Sequence, residues 1–528
     1  MAFLTPYWGL DGIIILTSLM VAGYFFMTRK FKYWAKRGIM ELPPTPVMGN
    51  FADCILLRKS PSYFVKDLYD RSKGLPFMGF YIFDKPYFLA RDPELVKHIL
   101  VKDFNVFMDR HASPDEKHDR LGAANIFMMK NPAWKVVRAK LTPIFTTGKL
   151  KTMFDLMLMV ADDLQNYLES LNLGSNGKIV EFKDLCANFT TDMIGSTAFG
   201  LRVDSLNNPK APFRECGRKI FGYDFFRSFE FLTIFFVPDL VKYLRPKFFG
   251  KSAAQFLRTA FWDVINHRIE SGTKRNDLID LLIELKEKHK DDDTLEGFSK
   301  IILTEYVDQL LILEFSGDDL VAQAAVFFTG GFETSSTTMS FTLYELALNP
   351  DVQTTLRKEI RDALEESGGK ITYDMIMTLP YLHMVVSETL RKYPPLGFLD
   401  RVANADYKVP NSDLILEKGT PVYISMIGLH YDPEYFPDPE KFDPLRFTEE
   451  AKKSRPSYTY LPFGEGPHVC IGLRLGYIQS KLGIVQVLRD YEVLPCDKTL
   501  VPMIMDPKGL TTTAISGIYL NLRKVTAD

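Results

Sequence analysis

Residues 462–472 read Pro-Phe-Gly-Glu-Gly-Pro-His-Val-Cys-Ile-Gly, and this stretch decides how the chain is interpreted. Gly464 and Gly466 favour a tight turn in which the backbone can approach a flat ligand closely. Cys470 follows the turn and precedes a stretch of helical periodicity at 473–488. Because a thiolate at a helix N-terminus is stabilised by backbone N–H groups and the helix dipole, Cys470 is a candidate metal ligand.

One sulfur cannot complete the coordination of a metal ion. The chain has five cysteines and no two of them have a CxxC spacing, so a zinc site has no support. A macrocycle must then supply the other ligands, which indicates haem iron with an axial cysteine. Taken alone, the loop is also compatible with a lone cysteine among glycines. It is not a dinucleotide fingerprint, because the third glycine and a preceding strand are missing.

The composition excludes several classes of protein. The 528 residues include 64 Lys plus Arg and 66 Asp plus Glu, so a net charge of -2 argues against a nucleic-acid binder. A hydrophobic fraction of 46% is too high for a disordered chain. The odd number of cysteines argues against a disulfide framework.

The N-terminus carries a candidate membrane anchor. Residues 8–27 are apolar except for Asp11, and as a helix they would cross about 30 Å of hydrocarbon. Basic residues on the C-terminal flank favour a cytosolic location for that flank; they are Arg29, Lys30, Lys32, Lys36 and Arg37. A cleaved signal peptide has the opposite order, so we predict an uncleaved signal-anchor, with a buried core helix as the alternative.

The rest of the chain shows no repeats and no linker-like break. We predict an anchor with its basic flank at 1–40, a stiff proline-rich hinge at 41–50 and one haem-binding body at 51–528. Helical periodicity marks 163–171, 256–269 and 318–348. Turn residues between 403 and 427 separate short apolar runs that are typical of antiparallel strands. The expected fold is therefore mainly α with a minor antiparallel β part (α+β).

The segment 221–249 is rich in aromatic residues. It is equally compatible with ordinary core and with a mobile apolar lid that touches the membrane and the substrate route.

Two further motifs carry chemistry. In the long predicted helix, Gly330-Gly331 precedes Glu333 and Thr334, whose carboxyl and hydroxyl groups are candidates for relaying protons. Adjacent glycines inside a helix cost about 1 kcal/mol each relative to alanine, which suggests that they serve to distort the helix or make room for a ligand. A kinked helix with a solvated glutamate is the alternative. Glu388 and Arg391, three residues apart, share a helix face and can form an ion pair.

Together these motifs resemble those of the cytochrome P450 superfamily, in their usual order and across essentially the whole chain. The haem loop of that family reads Phe-x-x-Gly-x-Arg-x-Cys-x-Gly, and Phe463, Gly466, Cys470 and Gly472 match it. His468 stands where the family usually has arginine. Residues 134–154, with Asp109-Arg110 upstream, are similar to microsomal insect enzymes that metabolise plant toxins and insecticides, and more distantly to vertebrate liver enzymes.

The resemblance implies roles for further residues. Arg446 would join Glu388 and Arg391 in a structural triad that holds the cysteine loop. The propionates of haem b would be bound by Trp134, Arg138, Arg401 and His468, the last more weakly than by arginine. The substrate pocket would be lined from 125–128, 326–328, 396–399 and 510–512; its candidate residues are Phe127, Phe327, Phe328, Leu396, Leu399 and Thr511.

The implied activity is insertion of one oxygen atom from O2 into a small lipophilic substrate. NADPH would act only through a membrane-bound NADPH-cytochrome P450 reductase, with cytochrome b5 as a second candidate donor, at the cytosolic side of the endoplasmic reticulum. Lys135, Lys140 and Arg474 are candidates for the docking face, although ordinary surface charge explains any one of them equally well.

Three alternatives remain beside xenobiotic oxidation. One is biosynthetic oxidation of an endogenous terpenoid, steroid or fatty acid. Another is a peroxide-rearranging haem-thiolate enzyme that needs no reductase, against which Thr334 argues. The third is a membrane-tethered haem sensor or carrier without turnover, which would need no proton relay.

Overall fold

The chain folds into many helices and three small sheets. The structure is a computed structural model that describes residues 5–174, 176–288 and 317–525. The α-helices are α1 Trp8–Thr28, α2 Ala52–Ile55, α3 Pro61–Arg71, α4 Pro93–Lys97, α5 Arg120–Ala124, α6 Ala133–Leu141, α7 Thr147–Ser170, α8 Phe182–Ala198, α9 Pro212–Phe221, α10 Phe225–Phe236, α11 Val241–Leu244, α12 Lys251–Ser271, α13 Leu278–Lys288, α14 Gly317–Leu348, α15 Pro350–Glu366, α16 Tyr373–Thr378, α17 Pro380–Lys392, α18 Met426–His430, α19 Glu449–Ser454 and α20 Leu473–Leu488. The expected helices at 163–171, 256–269 and 318–348 are confirmed within α7, α12 and α14.

The strands are fewer and short. They are β1 Phe77–Ile82, β2 Lys85–Ala90, β3 Lys178–Glu181, β4 Phe398–Val402, β5 Tyr407–Lys408, β6 Ile415–Leu416, β7 Pro421–Ser425, β8 Tyr491–Leu494 and β9 Tyr519–Lys524. The largest sheet has the order β1-β2-β7-β4, in which β4 runs antiparallel to β7 and places Arg401 opposite Val422. The expected small strands after residue 403 are present, and β5 pairs with β6 antiparallel. The predominance of helix with minor sheets confirms the predicted fold class, although the largest sheet is mixed because β2 pairs with β7 in parallel.

The helix α1 matches the predicted apolar anchor within one residue. It is long and apolar enough to cross a membrane, and 6% of its most hydrophobic window is buried inside the protein. The chain that follows α1 is packed onto the body and is not a free linker. Trp34 is fully buried against β1, where a Cβ at Gly79 would overlap its indole ring. Glu41 accepts a hydrogen bond from the Tyr81 hydroxyl at 2.5 Å. The segment between anchor and body is therefore packed onto the large sheet.

The longest helix, α14, forms the centre of the fold. It packs against α8 on one side and α20 on the other, and Ser335 Oγ donates to Gln479 Oε1 of α20 at 3.0 Å. The helix is α-helical through Gly330-Gly331 without a break. A Cβ at Gly331 would overlap the side chain of Ile194 on α8. One of the two glycines thus permits close packing of helices, a reason that the sequence did not indicate.

The aromatic segment divides between core and surface. Phe231 and Phe235 of α10 are buried, whereas Phe225 and Phe226 are 62% and 78% exposed. The buried face of 221–249 therefore belongs to the core, as the first interpretation expected, and its outer face presents exposed rings; the lid stays a prediction.

Candidate functional site

The cysteine loop is held by its own backbone. The Cys470 N–H donates to the carbonyl of Phe463 at 2.9 Å, which closes the turn before α20 begins. Gly466 has φ of 72°, and a Cβ there would overlap the carbonyl oxygen of Leu100. The glycine is therefore needed for packing against the chain at Leu100. The Phe463 ring lies 5.1 Å from that of Tyr477, which fixes the start of the loop on α20.

Cys470 remains accessible although protein atoms surround it closely. Burial raises the pKa of its thiol, while the N–H of Gly472 and the charges of Arg138 and Arg110 act to lower it. The sequence predicted that the helix N-terminus would stabilise the thiolate. In the free protein that effect alone does not lower the pKa of the Cys470 thiol below its ordinary value. A metal ion bound to the sulfur would displace the proton.

His468 and two residues of α6 form one cluster beside the cysteine. The His468 ring lies 3.9 Å from the Trp134 ring, and Arg138 donates to the carbonyl of Val469 at 2.7 Å. Burial lowers the pKa of His468 to about 2, with Arg401 contributing. The neutral ring donates from Nε2 to the carbonyl of Met108 at 2.8 Å, so Nδ1 carries a lone pair and cannot donate.

Two buried guanidinium groups lie beside Asp400 near this cluster. Arg110 Nη1 lies 3.6 Å from Asp400 Oδ1, and Arg401 donates to the backbone carbonyl of Asp400 at 2.7 Å. Burial acts to raise the pKa of Asp400, but Arg110 and the N–H of Ala112 outweigh it and the net shift is downward. Burial lowers the pKa of Arg401 to about 9, so it stays charged at neutral pH. Positive charge is therefore in excess here.

These residues fit a haem group. Among the described residues, the Nε atoms of Arg110 and Arg401 are buried without a hydrogen-bond partner. Buried donors with excess positive charge suit the two propionates of haem, and an accessible Cys470 suits its iron. Arg110 was not proposed as a ligand from the sequence, because no spacing rule links it to Cys470. The structure brings Cys470, His468 and Trp134 into one neighbourhood with the two arginines.

The central helix turns an accessible stripe towards this region. Between Leu320 and Ala347 every residue is buried except Val326, Gly330, Gly331 and Thr334. Val326, Gly330 and Thr334 are four residues apart and lie on one helix face, which we call the accessible face. A Cβ at Gly330 would meet nothing within 4 Å. Thr334 Oγ1 donates to the Gly330 carbonyl at 2.6 Å. The accessible face therefore offers space and a hydroxyl group in the middle of the fold.

Glu333 points elsewhere. Its carboxylate is buried and lies 2.9 Å from Lys183 Nζ of α8. The same ammonium group donates to Ser336 and Thr337, each at 2.9 Å. The structure thus separates the two predicted relay residues: Thr334 lies on the accessible face, and Glu333 is held in a buried ion pair.

The predicted triad is assembled. Glu388 and Arg391 are fully buried in α17 and joined by two bonds of 2.7 and 2.8 Å. Arg446 Nε lies 3.4 Å from Glu388, within ion-pair distance but without hydrogen-bond geometry, and its other nitrogens donate to the carbonyls of Pro437 and Asp438. All three side chains therefore meet, and Arg391 is the tightly bound member.

The candidate pocket residues separate into two groups. Phe127 and Leu396 are half-buried, and Leu399 lies 3.9 Å from the Cβ position of Gly464 in the cysteine loop. Phe327 and Phe328 instead pack in the core: Phe327 lies 5.3 Å from Phe145, and Phe328 lies 5.0 Å from Phe332. Thr511 is buried and bonded to the Tyr223 hydroxyl at 2.8 Å.

Three features of this mainly helical fold together indicate a haem-thiolate protein. Cys470 lies just before α20, buried cations lie beside it, and the central helix has an accessible face. The chain belongs to the cytochrome P450 family, whose model it matches over residues 40–521. It is similar to Cytochrome P450 6k1 of Blattella germanica, with 48% identity over 522 residues that cover 98% of each chain. It is also similar to Probable cytochrome P450 6g2 of Drosophila melanogaster, with 43% identity over 97% of this chain and 98% of the relative. This membership supports a P450 monooxygenase and implies haem iron held by a cysteine thiolate.

Proposed function

We propose that the protein inserts one oxygen atom into small lipophilic substrates with electrons from NADPH-cytochrome P450 reductase, and that these substrates are mainly xenobiotics such as insecticides or plant toxins. The observation that carries the proposal is the accessible face of α14, which exposes Gly330 and Thr334 in an otherwise buried helix. A haem protein that only carries electrons needs no such access beside its cofactor, and a haem sensor needs no proton-relay hydroxyl such as that of Thr334.

Cys470 would bind the iron, and Trp134, Arg138, Arg110 and Arg401 would surround the propionates. Haem with a thiolate ligand supplies the activation of O2, so that one oxygen atom enters the substrate and the other leaves as water. The chain contributes binding and protons. The Thr334 hydroxyl accepts a proton or donates one at the accessible face, and Phe127 and Leu396 contribute apolar contacts to the substrate.

The pocket residues support a lipophilic substrate of broad identity. An apolar wall binds apolar surface but discriminates poorly between molecules of similar size. This favours detoxification of varied xenobiotics over oxidation of one endogenous terpenoid, steroid or fatty acid.

We further propose that reductase, and cytochrome b5 as a second donor, dock beside the cysteine loop. Lys135 of α6 and Arg474 of α20 are both exposed on elements that carry haem-site residues. Cations at that position suit an acidic partner surface. The anchor α1 and its basic flank support attachment to the endoplasmic reticulum membrane with the body in the cytosol.

The test is turnover by the purified full-length protein with reductase, NADPH and a lipophilic probe. Product that requires both reductase and NADPH supports the proposal. Product with peroxide alone indicates a peroxide-rearranging enzyme, and no product with any probe indicates a sensor or carrier. The Cys470→Ser variant must lose the red-shifted band of the reduced carbon monoxide complex, or the ligand assignment is wrong.

The role of Thr334 has a matched control. Thr334→Ala should lower the product formed per NADPH oxidised. Thr329→Ala should not, because Thr329 makes the same kind of intrahelical bond, to Ala325 at 3.0 Å, but is buried. Equal effects of the two changes would mean that the hydroxyl acts on the helix and not on the reaction.

A further inference from the structure

Two buried amide side chains fasten a turn across the end of the accessible face. The turn starts at Ala124, the last residue of α5, ends at Met128 and carries Phe127. Gln323 of α14 is 1% exposed and Asn125 is fully buried. Since buried amides need partners for every polar group, the bonds that they make show which segments they join.

Gln323 joins the turn to the central helix. Its Oε1 accepts from the N–H of Ile126 at 2.9 Å, and its Nε2 donates to the carbonyl of Ala124 at 2.7 Å. Nε2 also donates to the Asp319 carbonyl, one turn earlier on α14, at 3.0 Å. One side chain thus binds the backbone of the turn on both sides of Asn125.

Asn125 fixes the shape of the turn. Its Nδ2 donates to the carbonyls of Leu121 and Gly122 at 3.0 and 2.8 Å. Its Oδ1 accepts from the N–H groups of Phe127 and Met128 at 3.0 and 3.2 Å. The Phe127 backbone is therefore held although it belongs to no helix or strand.

The position of Gln323 gives this arrangement a functional meaning. Gln323, Gly330 and Thr334 are separated by seven and four residues and therefore lie on the same helix face. Gln323 stands about 10 Å from Gly330 along the axis of α14. The turn that it holds therefore lies against this face of α14, about 10 Å from Gly330 along the helix.

Phe127 connects the turn to the buried cation Arg110 near Cys470. Its half-buried ring lies 4.3 Å from the guanidinium carbon of Arg110 and 6.3 Å from the ring of Phe235 on α10. A change in the turn would therefore move the ring relative to both the accessible face and the aromatic segment.

We propose that Gln323 and Asn125 form an amide clasp that fixes the position of Phe127. Phe127 then acts as the wall that determines which carbon atoms of a bound lipophilic substrate lie towards the accessible face. Both are positioning residues, since they act through Phe127 and touch no reacting atom. The proposal rests on the proposed monooxygenase function.

The test uses full-length holoenzyme and the variant Gln323→Met, which keeps the volume of the side chain and removes its three bonds. Gln353→Met is the matched control. Gln353 of α15 is also a buried helical amide; it donates to the Leu346 carbonyl at the C-terminal end of α14 and exchanges two bonds with Val493 of β8. Both variants lose the same kind of bonds, but only one of them loosens the turn.

For Gln323→Met we expect the dissociation constant of a lipophilic probe, measured from the change in the haem spectrum, to be about tenfold larger. A probe with several oxidisable carbons should give a changed ratio of products. The intensity of the carbon monoxide band should persist. Gln353→Met should leave the dissociation constant and the product ratio unchanged. Unchanged values in both variants, or the same change in both, would overturn the clasp.

Hydrogen exchange of the unaltered protein keeps the test decisive if Gln323→Met fails to fold. The N–H groups of residues 126–128 should exchange slowly in the substrate-free enzyme, and fast exchange there would refute the proposal. Spectral binding and hydrogen exchange need no turnover. An inactive enzyme that keeps both signatures would contradict the proposed function while the clasp stands.

Discussion

Replacing Glu388 by glutamine should release the cysteine loop from its support. Glu388→Gln keeps the volume of the side chain but leaves the Arg391 charge buried without a carboxylate. The consequence reaches the haem site through a chain of bonds. His430 donates from Nδ1 to the Arg391 carbonyl at 3.2 Å, and its Nε2 accepts from the N–H of Leu461 at 2.9 Å. Leu461 directly precedes the loop that ends at Cys470.

The magnitude follows from the bonds lost and kept. Removing one partner of a buried ion pair costs about 3–5 kcal/mol, because the other charge stays buried. Arg391 keeps bonds to the carbonyls of His430 and Pro439 at 2.9 and 2.8 Å, and the new amide oxygen can still accept one. We therefore expect the low end, about 3 kcal/mol. That is a large part of the 5–15 kcal/mol that ordinarily stabilises a folded protein.

The measurement is the haem content of the purified variant and the urea concentration at which half of its red-shifted carbon monoxide band is lost. Glu449→Gln is the matched control, since Glu449 pairs with Lys452 at the same three-residue spacing on an exposed surface. The control should leave haem content and midpoint unchanged. A Glu388→Gln enzyme with the haem content and midpoint of the unaltered protein would refute the structural role of the pair.

Three further perturbations have definite outcomes. Gly466→Ala should reduce haem retention on heating, because the added methyl overlaps the Leu100 carbonyl and φ is 72°. Burial lowers the pKa of His430 in the folded protein to about 3, so the unfolded chain takes up the proton first as the pH falls. The free energy of unfolding should therefore decrease by about 1.4 kcal/mol per pH unit between about pH 6.5 and pH 3. In His430→Gln the urea midpoint should depend less on pH over that range. In Gly79→Val the added side chain should displace Trp34, so that trypsin cleaves the basic flank of the vesicle-bound variant faster than that of the unaltered protein. Equal cleavage rates of the two proteins would mean that the flank is not packed on the sheet.

Local rules predicted much of the fold. The periodicity after Cys470 placed a helix at 473–488, and α20 has those bounds. The three-residue spacing of Glu388 and Arg391 predicted a shared helix face and an ion pair, and both are present. Such features depend on residues a few positions apart, which is the distance over which helix geometry is fixed.

Contacts between distant parts of the chain could not be predicted in this way. Lys183 pairs with Glu333 across 150 residues, and Arg110 meets Asp400 across nearly twice that separation. Both depend on how helices and strands pack. The resemblance identified Cys470 because its motif is contiguous, but it assigned Arg110 no role at the haem site.

The arrangement of charge also bears on substrate choice. The buried cations Arg110 and Arg401 are both held by Asp400, so each already has a partner before a substrate enters. The accessible face itself offers Val326, Gly330 and the hydroxyl of Thr334. A neutral apolar molecule loses nothing by entering such a space, whereas a charged one would give up hydration without a partner. Discrimination among apolar molecules then falls to the shape of the walls. Phe127 is the proposed wall whose turn is held by two buried amide side chains, and this is why the amide bonds around it are expected to govern the position of oxidation more than any charged group does.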